Sequence, residues 1–345
     1  MKNFLFIIDD LYGGGAEKVL LTVASGLASR GHHVRVWLLR DKIEHEVPDN
    51  IELEILNVIT PFTKAIRTRL VRLYQAKTVQ RKLDQLNIDT LICCSSENVT
   101  SLVNHPNQYF WLHANYERTK QKHLQKIKER YNDRNIISVS KGVEKSLLDL
   151  DIRPATSQVF WNPIDFDSIR TKAEELTAPH PKEFFVCVAA LEERKGHKQL
   201  LESFAQSGCS DDLLLLGKGS EENSLKQLAG ELGISNQVHF LGFQKNPYPY
   251  IKHAKALLLT SKNEGAPLVL VEALMLGTTI SAMDCPSGPS EILGYARLEE
   301  YLVKLGDTKG FSDCLRKLSV HQPKIERSQY EKFLPENALK QFESL

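Results

Sequence analysis

The stretch that decides the fold is Phe4-Leu5-Phe6-Ile7-Ile8-Asp9-Asp10-Leu11-Tyr12-Gly13-Gly14-Gly15-Ala16-Glu17-Lys18-Val19-Leu20. Five apolar residues end at two aspartates. That run is too short for a signal-peptide core and has the length of a buried strand. Three glycines then form a loop. From Ala16 to Arg30 apolar side chains recur at 20, 23, 24, 27 and 28, a helical period, and Gly31 suits the stop. Val34–Leu39 reads as the next strand. Strand, glycine turn, helix, strand is the repeating unit of a parallel sheet covered by helices.

The alternation continues outward. Thr90–Cys94, Gln108–Leu112 and Asn135–Val139 are further short apolar runs with helical stretches between them. A second series begins past Asn162-Pro163-Ile164-Asp165. It predicts strands at Phe184–Ala190, Asp212–Leu216, Val238–Leu241, Ala256–Thr260 and Thr279–Ala282, and helices at His197–Ala205 and Ser220–Leu232. Two complete series in 345 residues predict two doubly wound α/β domains. The join is expected within residues 165–182, a polar stretch with Pro179 and Pro181. The charged tail from Ile325 is compatible with a helix.

Composition narrows the function classes. A chain with 42% hydrophobic and 25% charged residues is an ordinary globular one, which excludes a disordered or fibrous protein. A net charge of +1 argues against a general nucleic-acid binder. No apolar window approaches the length of a transmembrane helix. The cysteines at 93, 94, 187, 209, 285 and 314 show no C-x-x-C spacing and read as reduced thiols of a cytoplasmic protein. Charge is uneven, however. Residues 1–165 hold 23 basic and 19 acidic side chains, and the excess concentrates between Ile55 and Leu83. That segment carries Lys64, Arg67, Arg69, Arg72, Lys77, Arg81 and Lys82 with no acid. Phe62, Ile66, Leu70, Val71 and Leu73 interleave with them. Such a helix suits an anionic membrane surface. A basic face that is simply solvated fits the same pattern.

Three motifs carry chemistry. Tyr12-Gly13-Gly14-Gly15-Ala16-Glu17 follows the first strand, where glycines allow close backbone approach and a helix start offers N–H groups to phosphate. A tight turn without a ligand is the alternative. It is neither G-x-G-x-x-G nor a P-loop, which disfavours a dinucleotide oxidoreductase. Glu192-Glu193-Arg194-Lys195-Gly196-His197 puts two cations at a strand-to-helix junction, where they could meet a diphosphate. Asn263-Glu264-Gly265-Ala266-Pro267-Leu268-Val269-Leu270-Val271-Glu272-Ala273-Leu274 starts an apolar helix at Pro267, which Gly277 ends. Glu264 stands just before that helix. Glu272 stands inside it among apolar neighbours, where a carboxylate needs a partner or an exposed face.

Together these segments resemble glycosyltransferase family 4, the retaining transferases of GT-B fold. Ser138-Val139-Ser140, Asn162-Pro163-Ile164-Asp165, Leu216-Gly217-Lys218-Gly219, Phe240-Leu241-Gly242 and Asp284-Cys285-Pro286-Ser287-Gly288-Pro289-Ser290-Glu291 fall in the family's order. The resemblance implies two Rossmann-like domains facing across a cleft: residues 1–165 for the acceptor, 166–325 for the nucleotide-sugar donor, and a terminal helix, 326–345, returning to the first. It implies that Glu272 holds the ribose hydroxyls, Glu264 the hydroxyls of the transferred sugar, and Lys195 the leaving diphosphate. Backbone N–H groups of Gly14 and Gly15, and those near Gly265, Ala266, Leu268 and Val269, would hold phosphate or sugar oxygens. Gly242 and Phe243 would frame the base, and His113 would lie near the transferred sugar. As a residue, His113 is equally a strand-end histidine.

One departure stands out. The family's Gly-Arg-Leu ahead of the lysine loop is here Ala189-Ala190-Leu191, so a cation is missing at Ala190, and Arg194 is the candidate substitute. The D-x-D strings at Asp149–Asp151 and Asp165–Asp167 are not expected to be metal sites. No metal and no cofactor are expected in the reaction. The implied activity is retaining transfer of a hexose or N-acetylhexosamine, from a UDP-linked donor, to a lipid-linked glycan or lipopolysaccharide in bacterial surface-polysaccharide synthesis. The expected place is the cytoplasm, at the inner face of the membrane. A nucleotide-sugar 2-epimerase and a catalytically weak nucleotide-sugar binder are the rivals.

Overall fold

A computed structural model describes residues 1–66, 68–177 and 179–345. These divide into two compact units, Met1–Ile164 with Lys332–Leu345, and Asp165–Glu331. The join falls at Ile164–Asp165, and the chain returns to the first unit at Lys332.

The first unit is a seven-stranded sheet of β1 (Asn3–Ile8), β2 (His33–Leu38), β3 (Glu52–Ile55), β4 (Thr90–Cys94), β5 (Gln108–Leu112), β6 (Asn135–Ser138) and β7 (Thr156–Val159). Its order is β3-β2-β1-β4-β5-β6-β7, with parallel pairing throughout. Strands buried on both faces need apolar side chains at every position, and Phe4 to Ile8 and Leu91 to Cys94 are fully buried. The strands missing from the sequence reading are the edges. Glu52-Leu53-Glu54-Ile55 and Thr156-Ser157-Gln158-Val159 have one neighbour each and stay partly exposed, so they lack the apolar run.

The second unit has six strands, β8 (Phe184–Val188), β9 (Asp212–Leu216), β10 (Val238–Gly242), β11 (Ala256–Leu259), β12 (Thr279–Asp284) and β13 (Leu302–Lys304). The order is β10-β9-β8-β11-β12-β13, again parallel. Its apolar centre includes Phe185, Phe204 and Phe311. Both sheets reverse their winding once, between β1 and β4 and between β8 and β11. In open parallel sheets the crevice at the strands' carboxyl ends, beside that reversal, is where ligands bind.

The terminal helix Pro335–Glu343 packs on the helix Gly15–Ser29. A side chain at Gly26 would meet Leu339 Cδ1 at 2.5 Å. Phe342 stands edge-on to Trp111 at 4.9 Å and to Phe160 at 5.1 Å between ring centres. The Lys2 ammonium donates to the carbonyls of Glu343 and Leu345, both at 2.9 Å. The D-x-D strings have local work. Asp149 pairs with Lys145, Asp151 with Lys128 and Arg153, and Asp165 caps the helix Phe166–Ala173. Among the described residues no helix is long and apolar enough to cross a membrane.

Glycine is required where loops of the second unit touch. Gly196 has φ +70°, and a Cβ there would lie 2.0 Å from the Thr260 carbonyl oxygen. Gly208 has φ +65° with open space around it. Gly196→Ala should therefore cost about 3 kcal/mol or more, strain plus clash, while Gly208→Ala should cost about 1 kcal/mol. Chemical denaturation of both variants checks the contrast.

Candidate active site

In the second unit two loops leave the carboxyl ends of β8 and β11, on either side of the winding reversal. The first loop passes through Leu191 and a short turn, Glu193–Lys195, to Gly196. The second runs from Thr260 to Pro267. Gly196 against the Thr260 carbonyl, and the Thr260 hydroxyl donating to the Lys195 carbonyl at 3.2 Å, tie the loops together. Lys262 N–H also donates to the Arg194 carbonyl at 2.8 Å. The result is an ion pair: Lys195 Nζ lies 2.5 Å from Glu264 Oε1, with both side chains under 15% exposed. An ammonium and a carboxylate held together at a loop crevice offset part of each other's desolvation penalty, and loss of either leaves the other buried without its partner. They are also poised to exchange each other for a ligand's anion and hydroxyls.

The helix Leu268–Met275 begins just after Glu264. Its first N–H groups, those of Leu268 and Val269, have no intrahelical acceptor by geometry. Pro267 is clamped by the next loop, because a Cβ at Gly288 would meet Pro267 Cδ at 2.4 Å and the Gly265 carbonyl at 3.3 Å. Glu272 is on the buried side of this helix, and the Tyr248 hydroxyl donates to its Oε1 at 3.2 Å. The exposed-face alternative for Glu272 is thus excluded, and its partner is a residue that the sequence did not single out.

The remaining loops of this unit close on the same edge. Leu216-Gly217-Lys218-Gly219 lies against residues 189–191, where a Cβ on Gly217 would strike the Ala189 carbonyl at 2.0 Å and one on Gly219 the Leu191 carbonyl at 2.2 Å. Gly217 N–H donates to the Gly242 carbonyl at 2.8 Å, which places Gly242 beside this loop, while Phe243 projects outward, 69% exposed. Arg194 is spoken for: its Nε donates to Glu192 at 2.8 Å on the surface.

In the first unit the glycine loop follows β1. Gly13 has φ +93°, and the helix starts at Gly15 with Gly14 as its cap residue. The Glu17 carboxylate folds back over this start, 2.8 Å from where a Gly14 Cβ would be, and burial raises its pKa. The helix end expected to greet an anion is therefore faced by an acid. Arg40 grips Asp9 at 2.6 Å and Asp10 at 3.1 Å beside it. His113 ends β5, its ring 4.6 Å from that of Trp111. Its Nε2 is buried without a hydrogen-bond partner, and burial pushes its pKa down to about 3, so the imidazole is neutral. A buried polar atom without a partner marks a place for a ligand or a water.

Glu97 is a further candidate that sequence reasoning passed over. It follows β4, next to Ser95 at φ +51°. Burial raises its carboxyl to about 7, with Arg130 and local N–H groups opposing and Asp9 adding to the rise. Its signal was position, a polar residue at the carboxyl end of the strand beside the reversal.

Two parallel doubly wound units, each with polar loops at the reversal, define a class of α/β proteins that bind ligands at the carboxyl edge of the sheet. The comparisons name the family. The family model described as Glycosyltransferase Family 4 matches residues 13–168, and that described as Glycosyl transferases group 1 matches 168–332. A curated relative, the N-acetylgalactosamine-N,N'-diacetylbacillosaminyl-diphospho-undecaprenol 4-alpha-N-acetylgalactosaminyltransferase of Campylobacter jejuni, is 28% identical over 85% of this chain and 84% of its own. The lipopolysaccharide 1,6-galactosyltransferase of Escherichia coli is 30% identical over 55% of this chain and 54% of its own. The solved structure of Anabaena Alr3699/HepE in complex with UDP and glucose has a TM-score of 0.79 at 18% identity, covering 100% of this chain and 99% of that one. The fold is GT-B. The chain belongs to the family 4 glycosyltransferases.

The titrating groups predict opposed pH limbs. Glu97, raised from 4.5 to about 7, binds its proton more tightly when folded. Its contribution to stability is full below pH 4.5 and is lost as pH rises through 7. His113 and His197, lowered from 6.5 to about 3 and about 4, contribute above 6.5 and lose that contribution as pH falls through those values. Glu97→Gln should therefore raise the unfolding temperature by a few degrees at pH 8 and leave it nearly unchanged at pH 5. Thermal unfolding at the two pH values tests the sign.

Proposed function

We propose that this glycosyltransferase moves a hexose or N-acetylhexosamine from a UDP-sugar, with retention and without a metal, to a lipid-linked or lipopolysaccharide acceptor in bacterial surface-glycan synthesis. The observation that carries the reading is the Lys195–Glu264 pair at the reversal of the second sheet. Lys195 is the cation for the leaving diphosphate, and Glu264 is the acceptor for sugar hydroxyls. Glu272, held by Tyr248, takes the ribose hydroxyls. Backbone N–H groups at Gly265, Ala266, Leu268 and Val269 hold phosphate and sugar oxygens, and Gly242 and Phe243 border the base. In the acceptor unit, His113 and the backbone of Gly14 and Gly15 meet the transferred sugar.

In the step itself the bond from the anomeric carbon to the diphosphate oxygen breaks and a bond to the acceptor oxygen forms on the same face. The acceptor's proton passes to the departing phosphate oxygen. Catalysis is then positioning plus stabilisation of developing charge. With alanine at 190 and Arg194 engaged by Glu192, Lys195 works with less help than the family pattern supplies. The relatives' names, which refer to undecaprenol diphosphate and lipopolysaccharide, support an acceptor of that kind.

The basic segment supports work at a membrane surface. The helix Arg69–Leu83 buries Gln75, Ala76, Val79 and Leu83. Its other face runs Leu70, Leu73, Tyr74, Lys77 and Arg81 at helical spacing, with Leu70 77% and Tyr74 70% exposed. Arg67 and the side chain of Lys64 lie outside the described residues. A cavity of about 370 Å³ opens beneath the inner side of this segment, lined by Arg72 and Lys126, by Arg40 paired with Asp9, and by apolar Ile59, Ile66 and Val71. Exposed apolar side chains beside cations suit a lipid surface, and Arg72 and Lys126 offer the cavity two cations for an anionic group of the acceptor.

Two outcomes follow. One nucleotide sugar among UDP-, GDP- and ADP-linked donors should raise the unfolding temperature and release its sugar slowly, and Lys195→Ala should lower kcat by about 100-fold or more at temperatures where the variant is folded, with some loss of stability because Glu264 is left buried without its partner. Stabilisation without turnover, or isomerisation of the donor without acceptor, would favour the rivals. Replacing Arg69, Lys77 and Arg81 with Gln should weaken binding to phosphatidylglycerol vesicles by roughly 100-fold, at about 1 kcal/mol per charge. Co-sedimentation measures it, and unchanged binding removes the membrane role.

A further inference from the structure

At the opposite end of the second sheet, the amino ends of the strands, three side chains converge that have no part in the reaction above. Asp212 opens β9, His239 is the second residue of β10, and His180 stands shortly before β8. Asp212 is 2% exposed. Its Oδ2 lies 2.7 Å from His180 Nε2 and 3.0 Å from His239 Nε2. The two imidazole rings are 4.8 Å apart. One ligand atom from each of the three residues falls within 4.8 Å of the others. The second carboxylate oxygen, Oδ1, is buried and accepts no hydrogen bond, with the Lys182 ammonium at 3.5 Å.

We propose that His180, Asp212 and His239 bind a first-row divalent transition metal of the zinc class. Zinc bonds of about 2.0–2.2 Å to nitrogen and oxygen set neighbouring donor atoms about 3.3 Å apart in a tetrahedron. The nitrogen–oxygen separations of 2.7 and 3.0 Å therefore widen by about 0.3–0.6 Å, and the two ligand nitrogens, within 4.8 Å of each other, draw toward the same spacing, movements that side-chain rotation supplies. An imidazole whose proton sits on Nδ1 offers its Nε2 lone pair to the ion. Two imidazoles and a carboxylate suit zinc, nickel or copper over magnesium and calcium. His239, 33% exposed, leaves the fourth position to water. Lys182, 63% exposed, is long enough to turn away into solvent as the cation enters.

The place in the fold says what the ion does. Lys195 and Glu264 follow the carboxyl ends of β8 and β11, about 17 Å along a five-residue strand from this edge. The ion takes no part in transfer. It clips the segment 180–183 to β9 and β10, where the chain passes from the helix Phe166–Ala173 into β8. This inference does not rest on the proposed reaction.

The test uses the full chain stripped with EDTA. Calorimetric titration with zinc chloride should show one equivalent bound at micromolar Kd or tighter, and zinc but not magnesium should raise the unfolding temperature. His180→Ala and His239→Ala should each weaken binding by at least about tenfold, and the double variant should abolish it. His253→Ala, a histidine outside the cluster, should leave it unchanged. Cobalt(II) should give the visible absorption of a four-coordinate nitrogen/oxygen site in the wild type and not in the double variant. No binding at about 100 μM zinc, or the same affinity in the double variant, overturns the proposal.

Discussion

The contact between Gly196 and the Thr260 carbonyl is the constraint on which the candidate site of the second unit depends. It has room for a hydrogen and not for a methyl group, and it brings the loop after β8 against the loop after β11. Lys195 and Glu264 are 69 positions apart in the chain, yet this one backbone contact leaves them little choice but to pair. The same device recurs at Gly217, Gly219 and Gly288, each pressed on a neighbouring loop. Parallel sheets deliver loops to one edge, and glycines let those loops come close enough to share side chains.

The two halves solve the burial of charge differently. In the second unit the buried acids are matched: Glu264 by Lys195, Glu272 by the Tyr248 hydroxyl, and Asp211 by Lys255 at 2.7 Å. In the first unit the loops hold acids whose affinity for protons is raised, Glu17 and Glu97, and a neutral His113. A buried polar atom without a partner, such as His113 Nε2, gains a hydrogen bond from a ligand that reaches it.

The inner strands were legible because they are buried on both faces and so write their burial into unbroken apolar runs. Of the four edges, β3, β7 and β13 were not, since a polar residue costs little on a strand open to water, whereas the edge β10 kept Val238, Phe240 and Leu241 and could be read. The candidate residues Lys195, Glu264 and Glu272 stood out in the sequence because a motif contains them. Their geometry did not. Nothing in the order of residues says that Lys195 faces Glu264, that Tyr248 reaches Glu272, or that Glu192 takes the guanidinium of Arg194. Glu97 escaped notice because its character comes from surroundings contributed by Asp9 and Arg130, neither of them near it in sequence.

The passage of the chain back into the first unit at Lys332 has a consequence for its synthesis. The second unit is an insertion, completed on the ribosome while the first still lacks Phe342 against Trp111 and Phe160, and Glu343 against Arg30. Helix and strands made first must wait, with part of their apolar surface uncovered, for some 170 residues made later. The second unit, continuous in sequence, needs nothing made later. The first unit is finished last, by a nine-residue helix that closes over its first-made layer.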